Sequence, residues 1–167
     1  MKKLYIGIDP SFTDTAIVAI DGDGVVIHEL HVTSKPNKNE SSAARIVEYS
    51  SRLQKLFEHI FPNTGDYPYD ISVAIEEPMG FHAGNGAKMG QVYAAASIAI
   101  FYGLGPFEDI GVIKPTTLKK FITGKGNAKK STIIKEVYKR WGFNTDNDNT
   151  ADAYGIARWL IYIDQTD

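Results

Sequence analysis

Short apolar runs separated by polar turns occupy the first part of the chain. They lie at residues 4–9, 16–21 and 25–33, and apolar runs of this length bounded by turn residues predict β-strands. The letters "DGDG" at 21–24 join the second run to the third and are typical of a tight hairpin turn. The pattern therefore predicts an antiparallel meander of three strands.

A helical period replaces this pattern after the meander. Ile46, Leu53 and Phe57 recur at helical spacing, and Asn39 or Ser41 is suited to cap that helix. The elements expected after it are a strand at 71–78, an apolar helix from Met89 to Phe107, a strand at 109–115, two basic helices separated by "GKGN" at 124–127, and a last helix at about 148–163.

The order of these elements predicts the fold class. Three meander strands followed by alternating helices and strands are typical of an α/β fold with a five-stranded mixed sheet and helices on both faces. A chain of 167 residues is suited to one domain, and we expect residues 1–167 to form it.

Composition narrows the classes of protein. The chain has no cysteine, which excludes thiolate metal sites and a disulfide framework and is compatible with a reducing compartment. Only five apolar residues precede Asp9, too few for a signal peptide, so we expect a cytoplasmic protein. The uncharged stretch from Met89 to Phe107 contains Gln91 and Ser97, and we interpret it as a buried helix rather than a membrane span.

Basic residues concentrate in one segment although the net charge is −2. Nine of the 18 lysines and arginines lie between Lys114 and Arg140, with Glu136 as the acid among them. A solvated helix face is the ordinary interpretation of such a run, but this imbalance favours a phosphate-binding patch. Its candidate phosphate contacts are Lys119, Lys120, Lys125, Lys129 and Lys130.

Acids follow two of the predicted strands directly. Asp9 precedes Pro10, and Glu76 lies at the end of the fourth strand. Asp9 alone is compatible with ordinary turn chemistry. If the first and fourth strands are parallel neighbours, however, both carboxylates meet at one sheet edge, where they could hold a hard cation such as Mg²⁺. Strand alternation favours Glu76 over Glu77, because Glu76 shares its face with small residues; we expect Glu77 to face solvent or to support the site.

A third group of candidate ligands begins the last helix. Asp148, Asn149 and Asp152 project from one side of its first turns, although Asp148 alone would be an ordinary helix cap. Asp152 lies among small residues in an otherwise apolar helix, and a buried acid needs a partner. Two carboxylates about 4 Å apart repel by roughly 4 kcal/mol at an effective dielectric constant near 20, so three would require cations.

Five motifs in this order carry a family resemblance: "GIDPSFTDTA", "VAIEEP", "KMGQVYAAA", "KKFITGKGNAKKS" and "NTADAYGIA". The chain resembles the RuvC-like Holliday junction resolvases of bacteria and their phages, which belong to the ribonuclease H-like superfamily. The resemblance implies a homodimeric, Mg²⁺-dependent endonuclease of DNA recombination and repair, with two ions per site and Mn²⁺ as a substitute. Its substrate would be a four-way DNA junction, nicked on two opposed strands in a bacterial or phage-infected cell, where recombination or packaging machinery could deliver it.

The resemblance also assigns roles by position. It implies Asp9, Glu76 and Asp152 as catalytic metal ligands. Asn149 matches the fourth ligand, and Asp148 is the alternative. Lys119 and Lys130 match the two lysines near the scissile phosphate. The aromatic residue that intrudes at the junction centre matches Met79 by strict spacing, while Phe81 lies two residues later and could equally pack within its loop.

Other functions stay open at this point. A related nuclease could cut RNA–DNA hybrids or branched flaps with the same acids. A nucleotide-binding domain of the sugar-kinase type would need a second phosphate loop, which the sequence lacks. A junction-binding protein without cleavage is compatible with the neutral Asn149. The small residues from Ala94 to Ala99 would permit close dimer packing or would belong to the domain core.

Overall fold

The computed structural model describes residues 2–34, 41–61, 69–78, 85–105 and 110–166. Its strands are β1 (Lys2–Asp9), β2 (Asp14–Asp21), β3 (Val26–Thr33), β4 (Tyr69–Glu76) and β5 (Gly111–Ile113). Its helices are α1 (Ser42–Ile60), α2 (Asn85–Leu104), α3 (Pro115–Thr123), α4 (Lys130–Trp141) and α5 (Asp148–Asp164). The expected element order is confirmed.

One mixed sheet contains all five strands in the order β3-β2-β1-β4-β5. The β1–β2 and β2–β3 pairs are antiparallel, whereas β1–β4 and β4–β5 are parallel. The predicted hairpin turn joins β2 to β3: Asp21 Oδ1 accepts hydrogen bonds from the N–H groups of Asp23 and Val25, and Gly24 adopts φ +83°. The central position of β1 means that its last residue, Asp9, lies within the sheet rather than at an outer strand.

Helices cover both faces of this sheet, as expected. Side chains alternate between the two faces of a strand. Leu4, Ile6 and Ile8 of β1 therefore enter the core beneath α1 and α2, while Tyr5 enters the core beneath α3, α4 and α5. Of the small residues in α2, Ala95, Ala96 and Ala99 belong to the first core. The sheet thus separates two apolar layers, and Asp9 faces the second.

Several boundaries differ from those expected from sequence. β4 runs over 69–76 rather than 71–78, and Pro78 has no N–H to extend the ladder. β5 has three residues because Pro115 begins α3, at a position where the fixed φ of proline suits a helix. α2 begins at residue 85, earlier than expected, and ends at residue 104.

Helix ends also settle the caps. Ser41 caps α1 through a bond from the Ala44 N–H, while Asn39 lies outside the described residues. Asn147, not Asp148, caps α5, because its side chain accepts from the Thr150 N–H. None of the helices in the described ranges is long and apolar enough to cross a membrane.

Candidate active site

The parallel pairing of β1 with β4 brings Asp9 and Glu76 to one edge. The register pairs Gly7 with Ala74 and Ile8 with Ile75, so Asp9 and Glu76 follow as the next residues of each strand. Both side chains lie on the sheet face that α5 covers, which is the face expected from strand alternation.

Gly7 allows α5 to lie directly on β1. A Cβ atom at this position would be 2.0 Å from the carbonyl oxygen of Ala153 and 2.6 Å from the amide nitrogen of Ala157. No side chain could fit in that space. The close approach of the two backbones carries Asp152, one residue before Ala153, to the edge where Asp9 ends its strand.

A hydrogen-bond network around Asp14 holds the first turn of α5. Its carboxylate accepts from Asn147 Nδ2 at 3.3 Å and pairs with His31 Nδ1 at 2.8 Å. His31 Nε2 lies 3.0 Å from Thr150 Oγ1. The Asp14 backbone carbonyl accepts from Asn149 Nδ2 at 2.9 Å. This bond uses the amide nitrogen of Asn149 and not its amide oxygen. The β2–β3 hairpin therefore determines where α5 starts.

One cavity of about 320 Å³ collects most of the predicted site residues. Its lining includes Asp9, Glu76, Glu77, Lys119, Lys130, Asn149 and Asp152. Asp148 is absent from this lining and forms an ion pair with Lys130 instead. The geometry thus places Asn149, rather than Asp148, on the cavity wall, and Glu77 lies closer to the site than expected for a solvent-facing acid.

The acids in this cavity are held in an environment that disfavours their charge. Burial, then the charges of Glu76 and Asp152, raise the pKa of Asp9 well above its ordinary value. Burial and then Asp152 raise the pKa of Glu76 to about 7. Burial raises the pKa of Asp152 to about 6, although Lys119 and Lys130 oppose that rise. The protein environment therefore disfavours the charged form of all three acids.

The side chains of this cavity include the oxygen donors that a cation site needs, but they are not arranged as a metal-ligand group. Among the described residues, no three side chains of His, Cys, Asp or Glu converge as an assembled metal-ligand group. Yet Asp152 Oδ1 is buried and has no hydrogen-bond partner within the described ranges, and a buried carboxylate oxygen needs one. Carboxylates with an unpartnered oxygen suit a hard cation such as Mg²⁺, which takes oxygen ligands.

The lysines near the cavity have distinct environments. Lys119 and Lys130 line it, and the hydrogen bond from Lys130 to Asp148 raises the pKa of Lys130, which stays charged. Lys120, Lys125 and Lys129 are exposed outside the lining. Met79 and Phe81, predicted to contact the junction centre, lie outside the described residues.

Sequence reasoning missed the residues that position the site. Asp14, His31 and Thr150 form a network that spans β2, β3 and α5, and nothing in their spacing connects them. One signal was available: Asp14 follows Asp9 by five residues within "GIDPSFTDTA", so a short turn must return it to the same edge.

Comparisons with known proteins agree with this fold. No family model matches the chain. The crossover junction endodeoxyribonuclease RuvC of Christiangramia forsetii is 28% identical over 134 residues, which cover 80% of this chain and 65% of that protein. The chain thus matches just under two thirds of that relative's length.

Two solved structures share the architecture over nearly the whole chain. Thermus thermophilus RuvC superposes with a TM-score of 0.67 at 20% identity, covering 97% of this chain and 96% of that one. T. thermophilus RuvC in complex with a Holliday junction substrate gives 0.71 at 20% identity, covering 98% and 96%. The expected RuvC-like fold is confirmed.

Proposed function

We propose that this protein, which resembles RuvC in sequence and shares its fold, is a metal-dependent endonuclease that resolves four-way DNA junctions by paired nicks. The observation that carries the proposal is that Asp9, Glu76 and Asp152 line one cavity together with Lys119 and Lys130, and that Asp9 and Asp152 are buried there. The sequence relative is a crossover junction endodeoxyribonuclease, and one structural neighbour is bound to a Holliday junction.

Asp9, Glu76 and Asp152 would hold Mg²⁺, with Mn²⁺ as a substitute, and the amide oxygen of Asn149 would complete the donor set. Two bound ions would supply an activated water and stabilise the leaving oxygen of the phosphodiester. The raised pKa values of the acids fit this role, because a cation favours the charged form of each carboxylate.

The lysines of the cavity hold the scissile phosphate. Lys119 projects from α3 and Lys130 from the first turn of α4, where unpaired backbone N–H groups also favour an anion. Asp148 keeps Lys130 oriented until a phosphate competes for its ammonium group. The exposed Lys120, Lys125 and Lys129 hold phosphates of the adjoining duplex.

A homodimer would match a twofold junction with a twofold protein. Ile98, Phe101 and Tyr102 form an exposed apolar stripe on α2, with exposed fractions of 52%, 46% and 65%. The stripe borders an apolar groove of about 490 Å³ that also includes Val47 of α1. A second copy seated on this face would bury side chains that water otherwise contacts.

The cellular setting follows from the substrate. Junction resolution places the protein in the cytoplasm of a bacterial or phage-infected cell, working with recombination or packaging machinery. Residues 1–167 would act as one nuclease domain, since every described strand belongs to the same sheet.

The test is cleavage of synthetic four-way junctions with Mg²⁺ or Mn²⁺, comparing the wild type with Asp9→Asn. We expect symmetric paired nicks from the wild type and a loss of at least about 10³-fold in the variant, as for removal of a group that stabilises transition-state charge. Flap DNA and RNA–DNA hybrid serve as competitors. Preferred cutting of either would replace the proposed substrate. Tight junction binding without any product, with both metals, would instead indicate the non-cleaving binder that the neutral Asn149 permits.

A further inference from the structure

A second polar cavity lies at the end of the sheet opposite to the acids. It measures about 430 Å³ and is lined by Arg140, Trp141, Arg158 and Tyr162, together with Asp23 of the β2–β3 turn. That turn follows Asp21, which pairs with Leu4 near the start of β1. The cavity is therefore separated from Asp9 by most of the length of β1.

Two guanidinium groups share one aromatic ring in this cavity. The Cζ atom of Arg140 lies 4.8 Å from the ring centroid of Trp141, and that of Arg158 lies 5.6 Å from the same centroid. The ring attracts each cation, but the two cations repel each other. Neither arginine forms an ion pair with an acid in the described ranges, although Asp23 is in the lining. An anion between them would relieve the repulsion.

Hydrogen bonds to the protein fix both guanidinium groups and use only part of their donors. Arg140 Nη1 donates to the carbonyl oxygens of Phe121 at 2.6 Å and Ile122 at 2.8 Å. Arg158 Nε donates to Tyr154 Oη at 2.9 Å, and its Nη2 lies 3.5 Å from the Gly24 carbonyl oxygen. Within the described residues, Arg140 Nε and Nη2 and Arg158 Nη1 have no acceptor. Fixed guanidinium donors of this kind match a phosphate group.

Helix α4 connects this cavity to the catalytic one. It begins at Lys130, in the catalytic cavity, and Arg140 follows ten residues later, about 15 Å along the helix axis. Lys135 and Lys139 are exposed between the two. Since one strand of B-DNA rises about 3.4 Å per nucleotide, 15 Å corresponds to about four or five base pairs.

We propose that the Arg140–Arg158 cavity binds a backbone phosphate of the junction arm about four to five base pairs from the cut. The identification of the ligand as a junction arm rests on the proposed function, whereas the phosphate chemistry follows from the two arginines. The cavity adds a second contact that fixes the direction in which the arm leaves the catalytic cavity.

A double-mutant cycle between protein and DNA tests the contact. Fluorescence anisotropy in Ca²⁺ or EDTA compares binding of an ordinary junction with one carrying neutral methylphosphonates four to five base pairs from the cleavage position. We expect Arg140→Gln and the methylphosphonates each to weaken binding by about 5–10-fold and to flatten the salt slope by about 1. Together they should weaken it no further, since both remove one contact.

Two control variants make the test decisive. Arg140→Lys keeps the charge and should retain most of the salt slope, whereas Arg52→Gln removes an exposed arginine from α1 and should change nothing. The proposal would be overturned if Arg140→Gln and the methylphosphonate junction weakened binding multiplicatively when they are combined. So would unchanged binding of wild type to the methylphosphonate junction, a result that requires no variant to fold.

Measuring binding to linear duplex DNA as well shows whether the phosphate site or the junction-resolving function has failed. If wild type cuts junctions but the cycle is multiplicative, the second site is wrong and the nuclease stands. If wild type neither cuts nor prefers junctions, yet Arg140→Gln flattens the salt dependence on linear duplex, the phosphate site stands and the junction function is wrong.

Discussion

Strand β1 and helix α5 place like charges together at one end of their contact and opposite charges at the other end. At one end, Asp9 of β1 and Asp152 of α5 are both buried acids whose pKa values are raised. At the other end, Lys3 Nζ lies 2.5 Å from Asp164 Oδ1, and Tyr5 Oη donates to Asp164 Oδ2 at 2.8 Å. These hydrogen bonds, from Lys3 and then Tyr5, lower the pKa of Asp164.

The difference shows how one contact can serve two purposes. The Lys3–Asp164 end and the Gly7 crossing hold α5 against β1 by complementary charge and tight packing. These contacts also hold the carboxyl groups of Asp9 and Asp152 near each other at the opposite end, although the two groups repel each other when both are charged. The proposed cations, rather than the protein, would stabilise this site, and the effects of mutations on stability should therefore differ in sign between the two ends.

The largest contrast is expected between Asp152→Asn and Asp164→Asn. Asp152→Asn should reduce junction cleavage by about 10³-fold, because it would remove a charged ligand of the proposed cations. It should also raise the melting temperature in EDTA, because one buried charge is gone. Asp164→Asn should leave cleavage within about twofold and lower the melting temperature slightly, since exposed pairs contribute little. A lower EDTA melting temperature for Asp152→Asn would contradict the comparison.

Gly7→Ala tests the crossing between the two ends. The new Cβ would meet backbone atoms of α5 at 2.0 and 2.6 Å, so the helix must move. We expect a loss of about 3 kcal/mol in the free energy of unfolding, measured with urea, and a strong loss of cleavage. Gly22→Ala is the matched control, because its Cβ would meet nothing within 4 Å. Equal stability of the two variants would show that α5 is not held at this point.

The pH dependence of stability should also separate the ends. Glu76 and Asp152 have folded-state pKa values of about 7 and 6, above their ordinary values. The folded state then binds more protons than the unfolded state, so the free energy of unfolding falls as pH rises from about 4 to 7. Asp164, with its lowered pKa, has the opposite sign and loses its contribution only on acidification below about pH 4.

Urea denaturation in EDTA between pH 5 and pH 8 measures this effect. We expect a decrease on the order of 2 kcal/mol, which Glu76→Gln should reduce and saturating Mg²⁺ should abolish. A flat profile for the metal-free wild type would mean that the acids are not held apart from solvent.

The smallest effect concerns the network that starts α5. Burial alone would raise the pKa of Asp14, but hydrogen bonds from His31 and Asn147 lower it. Asp14→Ala removes the carboxylate that those groups contact and should cost roughly 1 kcal/mol of stability. Cleavage should fall about tenfold through misplacement of Asn149 and Asp152. His31→Gln keeps a hydrogen-bonding side chain beside Thr150, so it should lose less stability and less cleavage activity than Asp14→Ala. Equal losses in the two variants would contradict this role of His31.

The element order, the five-stranded mixed sheet and the face that Asp9 and Glu76 share were predictable from the amino-acid sequence. These follow from local rules: strand alternation, helical period, and the turn chemistry of Gly, Pro and Asp. The motif order also pointed to the RuvC-like fold. Apolar spacing placed Asp152 on the inner side of α5, but it did not say how near to Asp9 that helix would lie.

The distances between elements that are far apart along the chain became known from the three-dimensional structure. It placed Asn149 on the cavity wall and paired Asp148 with Lys130, a choice that their positions three and four residues before Asp152 left open. It also joined Asp14 to His31, and Arg140 to Arg158 across Trp141. Such contacts depend on how closely backbones pack, as at Gly7, and packing is a property of the whole fold rather than of any local pattern.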